Sequence, residues 1–149
     1  MNASPKTYRC SLEVRGYELD SYGHVNHAVY VSYLEHARWK LLAEEGIRLS
    51  DFNEWKRWPV IAGIEVKYLK PVFMGDVLEI RTQLVEHFRA SFTFEQNVYK
   101  DELHVLSAKV KSVIINEKGR PSEFPEDLKR LWAHLPSDTT HAENKQEKP

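Results

Sequence analysis

VRGYELDSYGHVNHAVYVSYLEHARWKLLAEEG, residues Val14–Gly46, is the stretch on which the fold turns. Asp20, Gly23, His24, Asn26 and His27 crowd into eight positions and lead straight into an apolar stripe. Tyr30, Leu34, Ala37 and Leu41 recur at i, i+4, i+7 and i+11, which predicts one amphipathic helix of about five turns. Asn26 is a good N-cap and sets the start at Asn26 or His27, and Gly46 supplies the stop, so the helix runs over Asn26–Glu45. A junction needs one capping and one flexible residue. The acid, the second histidine and the glycine are surplus to that need and mark the loop as a candidate site.

The sequence on either side reads as strand. YRCSLEV (Tyr8–Val14) is β-prone and roughly alternating. After a tryptophan-rich connection (Trp55, Trp58), PVIAGIEVKYLKP places Ala62, Ile64, Val66 and Tyr68 on one face. Gly75 and Asp76 mark a turn. VLEIRTQLV then alternates Leu78, Ile80, Thr82 and Leu84 against Glu79, Arg81 and Gln83. ASFTFEQNVYK alternates Phe92, Phe94 and Val98 against Ser91, Thr93, Glu95 and Asn97. HVLSAKVKSVII follows the Lys100–Asp101 turn. Period-two patterning of this kind describes antiparallel strands with one wet and one dry face, and the long helix is the cover for the dry one. Pro125–Leu135 reads as a second short helix, with Leu128, Leu131, Trp132 and Leu135 in register and its acids ahead of its bases. The expected architecture is α+β, with one long helix wrapped by an antiparallel five-strand sheet and a short C-terminal helix. Residues 1–135 form the domain, and the polar stretch 136–149 is expected to be disordered.

Composition narrows the function classes. At 149 residues the chain holds one core. A net charge of −1 gives no electrostatic case for nucleic acid or for an anionic membrane surface. No window approaches the ~18 apolar residues of a membrane span. The single cysteine, Cys10, rules out an internal disulfide and fits a reducing compartment. MNASPKTYRC has no apolar signal core, so the expected location is cytoplasmic.

The element order together with the loop resembles the hot-dog fold in its 4-hydroxybenzoyl-CoA thioesterase type. The matching pattern is Asp20-x-x-Gly23-x-Val25-x-His27-x-x-Tyr30-x-x-Tyr33-x-Glu35-x-x-Arg38, and Ile64–Thr82 and Gly119–Leu131 resemble the family's central hairpin and C-terminal segment. Two branches are similar: bacterial acyl-CoA thioesterases associated with the Tol-Pal system, and plant acyl-ACP thioesterases of the methylketone-synthase type. The first often carries a tyrosine four residues before the aspartate; here that position is Gly16, and the tyrosine is its neighbour Tyr17.

The resemblance implies hydrolysis of an acyl-CoA or acyl-ACP thioester, with no cofactor and no metal. It makes Asp20 the nucleophile or the general base, although a turn aspartate bonded to its own backbone is the plainer reading of the residue. An ordinary aspartate pKa of ~3.9 lies roughly three units below the ideal for a base at neutral pH, so both roles stay open. The resemblance also aims the His27 backbone N–H at the thioester carbonyl, where a free helix-terminal donor stabilises an oxyanion. Gly23 lets the backbone turn and approach a ligand closely. Asn26 is a cap, and its amide can also polarise a carbonyl. His24 and His27 beside Asp20 give too few ligands at the wrong spacing for a metal. Tyr30, with Tyr33 and Tyr68, is a candidate lining of an acyl tunnel, the alternative being plain core. Arg89 matches a basic position common in the family and is the first candidate for a carrier phosphate, ahead of Lys70, Lys118 and Arg120. Glu35 and Arg38 read as a helix-surface pair. Glu65 reads as exposed. The resemblance finally implies a homodimer or a dimer of dimers, with Asp20 of one copy facing Ala62, Gly63 and Ile64 of another. Two other readings are a silent acyl-binding protein and a hydratase on the same fold; the aspartate pattern favours hydrolysis.

Overall fold

The computed structural model describes residues 6–132. Strand β1 (Tyr8–Glu13) leads through a single 3-10 turn (Gly16–Glu18) and the Asp20 loop into helix α1 (His27–Glu44). A second helix, α2 (Leu49–Trp55), precedes four long strands: β2 (Trp58–Tyr68), β3 (Val77–His87), β4 (Ser91–Lys100) and β5 (Leu103–Ile115). A 3-10 segment, Glu126–Trp132, follows. The five strands form one antiparallel sheet in the order β1-β3-β4-β5-β2. No helix among the described residues is long and apolar enough to cross a membrane.

Both ends of α1 follow from their residues. The Asn26 side chain accepts from the Ala28 N–H at 2.8 Å. At the other end Gly46 takes φ +77°, its N–H donates to the Ala43 carbonyl, and the Ile47 N–H reaches back to Leu42. These are the two bonds of a Schellman stop, and Ile47 and Leu42 are buried together beside it. Tyr30, Leu34, Ala37 and Leu41 all face the core. Two apolar clusters cover the sheet's inner face. One joins the start of α1 to Leu78, Ile80, Val98 and Leu106, and the other joins its end and α2 to Phe92, Phe94, Ile114 and Leu128.

Several expectations are corrected. Helix α2 lies in what reads as a plain connection. It is only seven residues long and shows no full period, yet Phe52 is 1% exposed and stacks edge-on against Trp55. The C-terminal segment is 3-10 where an α-helix is expected. Its Leu128 N–H bonds the Pro125 carbonyl, and the three-residue period brings Leu128 and Leu131 onto the core side together. Leu135 and residues 136–149 lie outside the described residues. Alternation breaks at Ala62, where a bulge between Ile61 and Gly63 shifts the register. Ile61 therefore pairs with inward Ser112, while Ile64, Val66 and Tyr68 keep the inner face. Ser91 is buried rather than wet.

Arg38 is the sharpest correction. It does not form a surface pair with Glu35. It is 8% exposed and donates through Nη1 to Gln96 Oε1 at 2.9 Å, while Gln96 Nε2 donates to the Leu34 carbonyl and to Thr82 Oγ1.

Candidate active site

The loop before α1 is closed by its own backbone. Leu19 and Val25 form a bridge, the Asp20 N–H donates to the His24 carbonyl at 2.7 Å, and the Gly23 N–H donates to the Asp20 carbonyl at 3.1 Å. Gly23 sits at φ +83°, a conformation that a residue with a Cβ rarely adopts. The Asp20 carboxylate accepts from the Tyr22 and His24 N–H groups through one oxygen, Oδ1, at 2.8 and 3.1 Å. The turn role and a chemical role are therefore compatible, because among the described residues Oδ2 carries no hydrogen bond.

Glu18 braces this loop from beneath. Its carboxylate is buried and accepts from Tyr33 Oη at 2.7 Å, from the Arg15 N–H at 2.8 Å and from Arg15 Nη2 at 2.9 Å. Burial works to raise this carboxyl, but the donors of Tyr33 and Arg15 outweigh it and hold Glu18 below its ordinary value. The Glu18 carbonyl accepts the Asn26 N–H, and the Val25 N–H bonds the Val72 carbonyl. Glu18 thus ties the loop to the body of α1, and Val72 ties it to the chain leaving β2. Sequence reasoning missed it, since a glutamate in a polar loop reads as exposed until its partner fifteen residues on is seen.

Asp20, His27 and Tyr30 come together in one cleft of ≈ 380 Å³, with His24, Val25, Tyr68, Leu69, Lys70 and Pro71 as its other walls. Tyr68 closes one side: its Oη donates to the His27 carbonyl at 2.9 Å, and its ring packs against Tyr30 at 5.6 Å. Burial pushes the Tyr30 phenol up to about 12, against the Val72 backbone, and the charges of Tyr68, Asp20 and Asp76 add to the rise. Tyr30 thus lines the cleft as a buried phenol whose hydroxyl meets the Val72 backbone. The Ala28 N–H is occupied by the Asn26 cap, whereas the His27 N–H has no partner among the described residues. Among the described residues no group of three or more His, Cys, Asp or Glu side chains is placed to hold a metal ion.

The remaining expected residues lie elsewhere in the chain. Ala62, Gly63 and Ile64 sit midway along the exposed edge strand β2 and do not line this cleft. Arg89 lies in the β3–β4 turn, where it pairs with Glu123 at 3.2 Å. The cleft is at the Tyr68–Leu106 end of the sheet and the Arg89 turn is near Val113, about 23 Å further along β5. Lys70 is the cation that lines the cleft itself.

Comparison with known proteins agrees with this architecture. The family model described as the thioesterase-like superfamily matches residues 14–131. An Arabidopsis thaliana protein, acyl-acyl carrier protein thioesterase ATL3, chloroplastic, is 29% identical over 130 residues, spanning 86% of this chain and 68% of that protein. Acyl-CoA thioesterase YbgC of Haemophilus influenzae is 28% identical over 129 residues, 84% and 95% of the two chains. A crystal structure of an Aquifex aeolicus protein superimposes with a TM-score of 0.78 at 31% identity, covering 85% of this chain and 98% of that one.

Proposed function

The chain belongs to the thioesterase-like superfamily of hot-dog proteins, and from that premise we propose that it hydrolyses acyl-CoA thioesters at the Asp20 cleft. The observation that carries the assignment is Asp20 itself, held by two N–H groups through Oδ1 while Oδ2 is unspent, in the same cleft that His27, with its open N–H, also lines. In the reaction Oδ2 either attacks the thioester carbonyl or takes a proton from the water that does. The carbonyl oxygen gains negative charge and accepts from the His27 N–H. A preorganised donor at a helix start is typically worth ~3–4 kcal/mol to such an oxyanion. The carbonyl–sulfur bond then breaks, the thiolate leaves and takes up a proton, and water supplies the oxygen of the free acid. Gly23 and the Asn26 cap hold the two halves in place.

Lys70 on the cleft wall supports a contact with the phosphates that coenzyme A and phosphopantetheine carry, with Arg89, from the turn between β3 and β4, as the other candidate. A second copy completes the site in this reading. Among the described residues strand β2 has β5 as its single neighbour in the sheet, and its Val60, Ile61, Ile64 and Tyr68 are 39%, 46%, 40% and 51% exposed. Pairing of β2 with its two-fold mate covers that edge and brings the mate's Ala62–Ile64 backbone to the Asp20 cleft. The acyl-ACP thioesterase relative makes an acyl chain on carrier protein the second substrate to test.

Asp20→Asn tests the assignment, because the amide oxygen can still accept from Tyr22 and His24 and the loop keeps its shape. The expected result is a loss of at least ~100-fold in kcat with KM nearly unchanged, since the loss falls on the transition state. Near-normal turnover by the purified variant would refute it.

A further inference from the structure

Between the C-terminal half of α1, α2 and the start of β2 lies a second cavity, of ≈ 100 Å³. Leu42, Phe52, Phe92, Phe94 and Leu128 form its buried apolar walls, and Glu35, Trp39, Pro59 and Ile61 surround the more exposed side. Arg38 stands about 16 Å along the helix from His27, so this volume is separate from the Asp20 cleft of the same chain.

Two buried polar side chains line it with hydrogen-bonding capacity unspent. Arg38 is 8% exposed, and its one bond is Nη1 to the neutral Gln96, which leaves Nε and Nη2 without a partner among the described residues. Ser112 is 3% exposed, and its hydroxyl has no partner there either. Among the described residues no buried side-chain nitrogen or oxygen is sealed away unpaired, so these atoms are reached by open volume. Arg15, Arg9, Arg81 and Lys100 each meet a carboxylate at 2.6–3.0 Å. Arg38 is more deeply buried than any of them and has no carboxylate within ion-pair distance among the described residues, feeling only the more distant charge of Glu35. Burying a permanent cation without an anion is costly, and a guanidinium fork matches a carboxylate in geometry. An apolar cavity with a few placed donors is the usual form of a small-molecule site.

We propose that this cavity binds a small carboxylic acid with a short unbranched alkyl body, its carboxylate on the free Arg38 N–H groups and Ser112 Oγ and its chain among Leu42, Phe52, Phe92 and Phe94. The size favours a slender body: ≈ 100 Å³ is smaller than the ~150 Å³ of a cavity that holds a benzene ring, so a short alkyl chain suits it better than a flat aromatic ring. Glu35 is the one anion on the lining. It is exposed and lies beyond ion-pair distance of Arg38, so it weakens binding without occupying the fork. The acid released by thioester hydrolysis belongs to the same chemical class, but the inference rests on the cavity alone.

The test is titration of the intact chain with butyrate, 1-butanol and benzoate, read by calorimetry and by the fluorescence of Trp39 on the cavity rim. Butyrate is expected to bind saturably, and butanol and benzoate at least about tenfold more weakly. Arg38→Gln, and independently Ser112→Leu, should weaken butyrate by a similar factor. Glu35→Gln should tighten it, and Asp20→Asn should leave it unchanged. Absence of saturable butyrate binding by folded wild-type chain overturns the proposal. So does binding that survives Arg38→Gln but is lost in Asp20→Asn, which would put the acid in the cleft. Assembly that depends on Glu35, with no butyrate bound, also overturns it, because a second copy would then supply the carboxylate. Thioester hydrolysis by the wild-type chain is read separately, so failure here leaves the cleft assignment standing.

Discussion

At the residue scale the hydrogen bonds around Asp20 decide which atoms are left open. Oδ1 is held by the Tyr22 and His24 N–H groups, the Ala28 N–H is taken by Asn26, and Glu18 is held by Tyr33 and Arg15. What is left over, Asp20 Oδ2 and the His27 N–H, is the pair that the proposed chemistry would use. Glu18 carries a pH prediction. Its folded carboxyl lies below the ordinary value of 4.5, so its stabilising contribution is fully present above that value and is lost as the pH falls through the lower, folded one. Thermal melts should therefore show stability falling in acid below pH 4.5. Glu18→Gln should melt lower at neutral pH and show a shallower acid limb; an unchanged acid limb would remove Glu18 from the brace. Chelation supplies a second check. His24 and His27 with Asp20 do not make a ligand set, so turnover should survive prolonged EDTA or phenanthroline treatment. Activity lost to chelator and restored by zinc or manganese would contradict this.

At the element scale α1 and β2 carry the argument. Helix α1 was legible in full, since an N-cap, a 3.6-residue stripe and a glycine stop all agree over one segment. Strands β3 and β4 were legible because their inner face is buried and their outer face wet. What escaped was the exception to each pattern. Arg38 and Gln96 are polar residues on core faces that meet each other across fifty-eight positions, which no local window contains. The Ala62 bulge was hidden because an edge strand is weakly constrained by packing. Glu18 was missed for the same non-local reason, whereas Asp20, Gly23 and His27 stood out because their spacing is local. Strand β2 yields a prediction that uses its two edges. Neighbouring residues point their N–H groups to opposite sides, so of Ile64→Pro and Glu65→Pro one breaks the β5 ladder and the other breaks only the free edge. The variant that keeps the wild-type melting temperature should lose assembly and thioester hydrolysis together. Retention of both would show that the β2 edge is not the subunit contact.

At the scale of the whole molecule the proposed reading makes the chain half of a site. The cleft at the start of α1 is open, its proposed second wall, Ala62–Ile64, sits midway along an exposed edge, and the sheet ends there. A two-fold axis at that edge, as proposed, would make a continuous ten-strand sheet and give each Asp20 a facing backbone from the other copy. Affinity for the mate would then become part of catalysis, because dilution would remove the second wall without altering Asp20. The most direct test is the rate of acyl-CoA hydrolysis per chain, measured from nanomolar to micromolar protein beside light scattering on the same samples. The predicted result is thiol release that falls as the dimer dissociates and is absent from Asp20→Asn at every concentration. A monomer that hydrolyses at the full rate, or an Asp20→Asn chain that keeps pace with the wild type, would contradict the account.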